Sequence, residues 1–395
     1  MAERERISPD PKFIKEIGKA GGEAGKKCYQ CATCSVVCEL STNESPFPRK
    51  EMLWAQWGLA DRLMGDLDVW ACYQCNDCSV HCPRGAKPGD LLAAVRSYTY
   101  QNYAVPKFMG KALATPWALP FLFAVPVIIL FVLMNVSAPR TAEGEFLFMQ
   151  EGIPIDFNIF LPHSTVDAFF VLGNILIFTL ALIGFSRFWR DLKKHHGEGI
   201  SLLTGLKLTA KEIITHSQFE KCNANEPRYI GHILVFAGFV GAMITTGLVF
   251  VLIFIPHYID LPPTWELPID LPNPVKFIGA FSGLALLAGG AILIARRWLD
   301  KDEVGASGYP DQLFIYVVFF TGLTGVTSWL GRWLVGDPSF AYVNYFIHLV
   351  FVFFLLWYMP YSKFAHMIYR TLALVFLRAK EAEDKRVGDP MSPTT

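Results

Sequence analysis

CYQCATCSVVC at Cys28–Cys38 and CYQCNDCSVHC at Cys72–Cys82 decide how this 395-residue chain is read. Each stretch has the spacing C-x2-C-x2-C-x3-C, in which three thiolates wrap one iron–sulfur cube and the fourth reaches to a neighbouring cube. The crossover predicts Cys28, Cys31, Cys34 and Cys82 round one [4Fe-4S] cluster, and Cys72, Cys75, Cys78 and Cys38 round a second. Zinc is the competing metal, but its sites take pairs of cysteines separated by a longer loop. Disulfides are the other alternative. Pro83 follows Cys82 in the usual manner of such runs, whereas Glu39 follows Cys38, so the local turn differs there.

The rest of the chain is a setting for eight of its nine cysteines. Hydrophobic residues make up 52% and charged residues 18%, with 32 Phe and a mean hydropathy of +0.33, which points to a membrane. Lys plus Arg equal Asp plus Glu at 35 each, so no electrostatic case for nucleic-acid binding exists. Residues 1–27 are mostly polar, with no apolar run of signal-peptide length. The cysteine-bearing segment is therefore expected in the cytoplasm, where thiols stay reduced and clustered cysteines bind metal.

Residues 1–110 read as a soluble iron–sulfur head. Between the cysteine blocks, Met52, Leu53, Trp54, Trp57, Leu59, Leu63 and Leu67 follow a helical rhythm, predicting a helical linker over Arg49–Leu67. A short helix, Asp90–Asn102, should follow. From Trp117 the pattern changes to apolar runs near the roughly 20 residues that cross a bilayer. Six are expected, at about 117–135, 166–185, 229–255, 277–295, 313–335 and 342–361, the last continuing as helix to about Phe376. Residues 111–376 thus form a membrane domain and 377–395 a charged tail, expected to be disordered or draped on a partner. The chain is read as having no internal repeat and no low-complexity segment.

Loop charges set the orientation. Lys and Arg crowd residues 187–228, 296–310 and the stretch after Pro360, while the loops between them hold only Arg140. Both termini and the iron–sulfur head should face the cytoplasm, with the chain multi-pass in the inner membrane.

An ionisable side chain within a span is a functional candidate, which singles out His232, His348 and His366. His348 and His366 are expected on one helix, where 18 residues make five turns and about 27 Å, placing both imidazoles on one face near opposite surfaces. Two stacked haems would require that. His232 lies at a depth similar to His366, and the pair can supply both axial ligands of one haem. No C-x-x-C-H is present, so the haem would be b-type. Polar packing between helices is the alternative. His348 needs a partner on the outer side; His163 is preferred over His257, which projects beyond haem depth. His195, His196 and His216 read as solvated, His81 as a possible tuner of Cys82, and Cys222 as a bystander. The glycines of the third and fourth spans would admit either a close helix or a porphyrin.

The cysteine stretches, in their wider forms KKCYQCATCSVVC and WACYQCNDCSVHCP, resemble the two-cluster C subunit of heterodisulfide reductases. HILVFAGFVGA at His232–Ala242 and HLVFVFFLLWYMPYSKFAH at His348–His366 look like the cytochrome b gamma subunit of respiratory nitrate reductases. The combination resembles the third subunit of the quinone-interacting membrane-bound oxidoreductase complexes of sulfate reducers. The fold implied is mainly α: a two-[4Fe-4S] ferredoxin-like helical head fused to a six-helix transmembrane cytochrome b bundle. In the nitrate reductase family the matching third span carries two haem histidines, and the second position here is Ala242, which leaves His348 short of its usual partner. The resemblance implies electron exchange between the menaquinone pool, haem b, the two clusters and flavin- and iron–sulfur-containing cytoplasmic subunits, serving adenylylsulfate reductase. A membrane subunit of a heterodisulfide- or sulfite-reduction complex is the alternative.

Overall fold

The computed structural model describes residues 8–197, 201–217, 226–265, 269, 271–300 and 308–388. Among them every regular element is helical, and the one extended pairing is an isolated bridge between Arg140 and Phe146. Cys222 lies outside the described residues. Six helices among the described residues are long and apolar enough to cross a bilayer: spans 1 to 6 are Pro116–Ser137, His163–His196, Pro227–Tyr258, Pro274–Leu299, Tyr309–Arg332 and Pro338–Trp357. Helices suit this solvent because each satisfies its own backbone groups.

Proline shapes three of these spans. Pro120 sits in the first turn of span 1, where a missing N–H costs nothing, and the helix continues past Pro126. Span 3 widens into a π-turn at Phe250–Phe254 just before Pro256. After span 6, Pro360 ends the helix. Residues Met359–Tyr361 and Lys363–Ala365 form 3-10 turns on either side of extended Ser362, and a new helix, His366–Gly388, begins. His348 and His366 therefore lie on two helices, and the five-turn relation between them does not hold. Tyr358 and Tyr361 fasten the break by donating to the carbonyls of Leu122 (3.1 Å) and Val105 (2.7 Å).

Gly238 and Gly289, on spans 3 and 4, serve helix packing. A Cβ on Gly238 would lie 2.8 Å from the Ser282 carbonyl oxygen, and one on Gly289 would lie 2.7 Å from that of Gly231. Backbone meets backbone there, leaving no slot for a porphyrin.

The head has its own core of Phe13, Met52, Leu63, Leu91, Leu92 and Val95, all at most 3% exposed. The expected linker helix is three short helices, Arg49–Gln56, Ala60–Met64 and Leu67–Ala71. Gly58, at φ 71°, breaks it where its backbone runs against Asp10. The helix Pro88–Tyr103 then crosses the core and ends against span 2, where a Cβ on Gly184 would sit 2.8 Å from the Tyr103 carbonyl. An aromatic cluster seals the joint: Trp70 and Tyr103 stack on Tyr369 at 5.7 and 6.2 Å, with Phe188 edge-on to all three. The described part of the charged tail continues the helix to Gly388. Arg378 pairs with Glu212 at 3.2 Å, holding it on the helix Leu202–Thr215.

Candidate functional site

The two cysteine stretches fold alike, and here the reading of no repeat fails. Gln30 and Ala32 take left-handed backbone (φ 60° and 68°), as do Gln74 and Asn76 (φ 56° and 75°), and the short helices Thr33–Val36 and Asp77–Val80 follow. These reversals turn successive cysteines inward. They also aim amides at sulfur: Gln30 N–H at Cys28 Sγ (3.5 Å) and Gln74 N–H at Cys72 Sγ (3.3 Å), while Ala86 N–H meets Cys82 Sγ at 3.3 Å.

Cys28, Cys31, Cys34 and Cys82 line one recess with Arg49 and Arg84 at its rim. Burial raises the Cys34 thiol, and its neighbours Cys28, Cys31 and Cys82 add to that. On the other side burial pushes Cys38 up to about 11, with Cys72 and Cys75 acting in the same direction. Cys78 is raised by burial and then by Cys72, Cys75 and Cys38. The eight thiols thus gather as two quartets, each borrowing its fourth member from the other stretch. Such quartets fit a four-iron cube, and loading it would displace the protons that burial keeps on sulfur.

Three half-buried arginines close on the second quartet. Arg96 donates to the carbonyls of Val69 (2.6 Å) and Cys72 (2.8 Å) and to the Gln74 side chain (2.9 Å). Arg228, four residues before His232, donates to the Gln74 carbonyl at 2.6 Å. Arg370, four residues after His366, donates to the Cys72 carbonyl at 2.9 Å. Both histidine-bearing helices are thereby fastened to the loop Cys72–Gln74. None of these arginines was singled out from the sequence.

His232 is half-buried, with its Nδ1 out of reach of water, and His216, His366, Arg228 and Arg370 are its titratable neighbours. His216, read as solvated, lies against His232 with ring centroids 4.9 Å apart and also contacts Phe236. It stands in a left-handed cap at the end of Leu202–Thr215. His366 donates Nδ1–H to the Lys363 carbonyl at 2.5 Å, which leaves Nε2 as the ligating nitrogen. A metal-bound histidine is normally oriented in this manner, so His366 fits a haem ligand.

His348 shows the same device. Its Nδ1 lies 3.0 Å from Thr324 Oγ1, whose own hydrogen goes to the Phe320 carbonyl at 2.6 Å; Nδ1 is therefore the donor and Nε2 remains. Gly325 makes room for the ring, since a Cβ there would lie 3.1 Å from Cε1. Asn344 extends this polar layer, donating to the Thr324 carbonyl (3.0 Å) and to Ser328 Oγ (2.6 Å). His163 packs on Phe254 of span 3 at 5.2 Å, and no contact joins it to His348 among the described residues. His195, also read as solvated, is exposed, with its ring beside Gly65; His196, read the same way, is half-buried and bonds the Gly65 carbonyl at 2.8 Å. His81 bonds the Asp77 carbonyl at 3.0 Å on the surface.

The 4Fe-4S dicluster domain family matches residues 24–86, the stretch that holds both quartets. The E subunit of the dihydromethanophenazine:CoB–CoM heterodisulfide reductase of Methanosarcina acetivorans is 30% identical over 190 residues, 46% of this chain and 69% of that subunit. The chain belongs to the heterodisulfide reductase subunit family. It is an oxidoreductase-type membrane subunit with a two-cluster iron–sulfur domain. Citrate utilization protein B of Escherichia coli is 26% identical over 313 residues, 75% of this chain and 76% of that protein. The C subunit of the H2:CoB–CoM heterodisulfide,ferredoxin reductase of Methanothermobacter marburgensis is 33% identical over 89 residues, 22% of this chain and 48% of that subunit. No solved structure matches the chain.

Proposed function

We propose that this heterodisulfide reductase-type subunit is an electron conduit between the menaquinone pool and flavin- and iron–sulfur-containing partners on the cytoplasmic side. Cys28, Cys31, Cys34 and Cys82 hold one [4Fe-4S] cluster, and Cys72, Cys75, Cys78 and Cys38 hold the other. His232 and His366 hold an inner haem b; His348, with His163 as its partner across the outer site, holds a second. The cofactors supply one-electron steps, and the chain sets their order, spacing and charge.

The observation that carries this reading is the clamp of Arg228 and Arg370 on the loop Cys72–Gln74. It sets the second quartet beside the inner histidines and makes it the membrane-side station. The first quartet is the outward one, with Cys31 at the surface and neighbouring Tyr29 71% exposed. Electrons would thus pass between the inner histidines, the Cys72 side and the Cys28 side, where a soluble partner docks. Delivery to adenylylsulfate reductase is the terminal step of this reading. The similarity to the E subunit of a dihydromethanophenazine-linked reductase supports a second reading, a membrane subunit of a heterodisulfide-type or sulfite-reduction complex.

A dithionite-reduced visible spectrum of the purified protein, with iron and haem counted per chain, tests the core of the proposal. Eight irons and b-type α-bands are expected; absent bands would remove haem from it. The polypeptides that co-purify decide between the two readings, and no flavoprotein among them would overturn the first.

A further inference from the structure

At the end of span 2 nearest the head, Arg187, Arg190 and Lys194 follow at intervals of three and four residues, which puts them on one helix face. Lys107, from the helix Lys107–Leu113, completes a cleft of about 480 Å³ with them. One carboxylate, Asp191, shares the cleft, and Tyr103 donates to it at 2.5 Å. None of the four cations enters an ion pair among the described residues.

The depth of this cleft is fixed by its neighbours. Its wall at Tyr103 rests on Gly184 of span 2. On the elements that carry or adjoin the cleft, Phe108 of the Lys107 helix (66%), Trp117 at the start of span 1 (74%) and Leu182 of span 2 (62%) are left exposed by the protein, as lipid-facing side chains are. A concave cluster of cations at the boundary between polar and acyl layers is complementary to one kind of ligand, a phosphodiester whose chains continue along the apolar wall.

We propose that this cleft is a binding site for the phosphate headgroup of an anionic phospholipid. The proposal rests on the spans lying in a bilayer and is independent of the electron-transfer reading. Such a lipid would pin the joint between head and membrane domain, since Lys107 belongs to the segment leaving the head and the other three cations to span 2.

The test titrates the full-length protein in detergent with cardiolipin, with phosphatidylethanolamine as the zwitterionic control and inorganic phosphate as the soluble one, read by native mass spectrometry. Cardiolipin should bind at least about tenfold more tightly than phosphatidylethanolamine. Each basic residue removed should weaken it about fivefold, so the triple variant R187Q/R190Q/K194Q should lose the preference while iron content and melting temperature stay unchanged. A folded triple variant that keeps the preference overturns the proposal. So does inorganic phosphate that displaces the lipid at equal concentration, or a variant that sheds a protein partner while retaining lipid. If the triple variant fails to fold, the exposed single variants Lys107→Gln and Lys194→Gln take its place; unchanged cardiolipin affinity in both overturns it. Iron and haem counts of the wild type, taken in the same samples, report separately on the redox reading.

Discussion

Arg370 donates a hydrogen bond to the Cys72 carbonyl at 2.9 Å across 298 positions of sequence, one helical turn from His366. Reduction of a cluster adds negative charge, which a nearby cation stabilises. Arg370→Gln is therefore expected to lower the potential of the Cys72-side cluster by on the order of 50 mV and to leave the Cys28-side cluster in place. An EPR-monitored redox titration checks this. Two unshifted clusters in a fully loaded variant would take the clamp out of the electron path.

Haem content separates the histidines. His232→Ala and His366→Ala should each remove the inner haem, while His216→Ala, though its ring touches that of His232, should leave it. His348→Ala and His163→Ala should each remove the outer one. Reduced-minus-oxidised spectra with haem quantified per chain give the answer. Full haem content in His163→Ala would exclude it as the partner of His348, and loss of haem in His216→Ala would move the inner ligand pair to His216 and His232.

What the sequence made legible was periodic or spaced. Thiol spacing implies the crossover because the cube's geometry is local, and six apolar runs become six spans because bilayer thickness sets their length. The breaks were harder to see. Pro360 and Ser362 interrupt an apolar run whose composition alone favours continuing the helix, and Gly58 interrupts a helical rhythm between the cysteine blocks. Least legible were Arg96, Arg228 and Arg370. In the sequence Arg96 is one charge in a head helix and Arg228 and Arg370 are charges near span ends, which usually means solvated residues; only the packing shows the three converging on one loop.

Ala32 and Asn76 occupy equivalent left-handed positions, φ 68° and 75°, with unequal tolerance. For alanine that backbone costs roughly 1–2 kcal/mol, whereas asparagine visits it more readily. Ala32→Gly should stabilise the head by up to about 1 kcal/mol and Asn76→Gly by less. Ala32→Val, β-branched, should lower iron occupancy of the Cys28-side site. Thermal melts and iron counts per chain check the series; equal gains at both positions would show that the turn is not strained at Ala32.

Lys50 sits among Glu51, Asp68 and Asp66, at 3.1, 2.9 and 3.7 Å. Burial would lower the lysine, but Asp66, Glu51 and Asp68 together hold it above its ordinary value, so one cation faces three carboxylates. Glu51 is fully buried, and burial first, then the Asp66 charge, pushes it up to about 8 against the pull of Lys50. Folded Glu51 thus keeps a proton that the unfolded chain releases near its ordinary carboxylate pKa, about 4. Its contribution to stability is complete below that pH and is lost as pH rises toward 8, because the unfolded state binds fewer protons across the window. Asp66 is raised in the same sense, again by burial first. Glu51→Gln keeps the shape and stays neutral, so between about pH 5 and 8 its melting temperature should fall less than that of the wild type, and at the upper end it should melt no lower. Parallel curves for the two proteins would mean that Lys50 holds Glu51 ionised in the folded head.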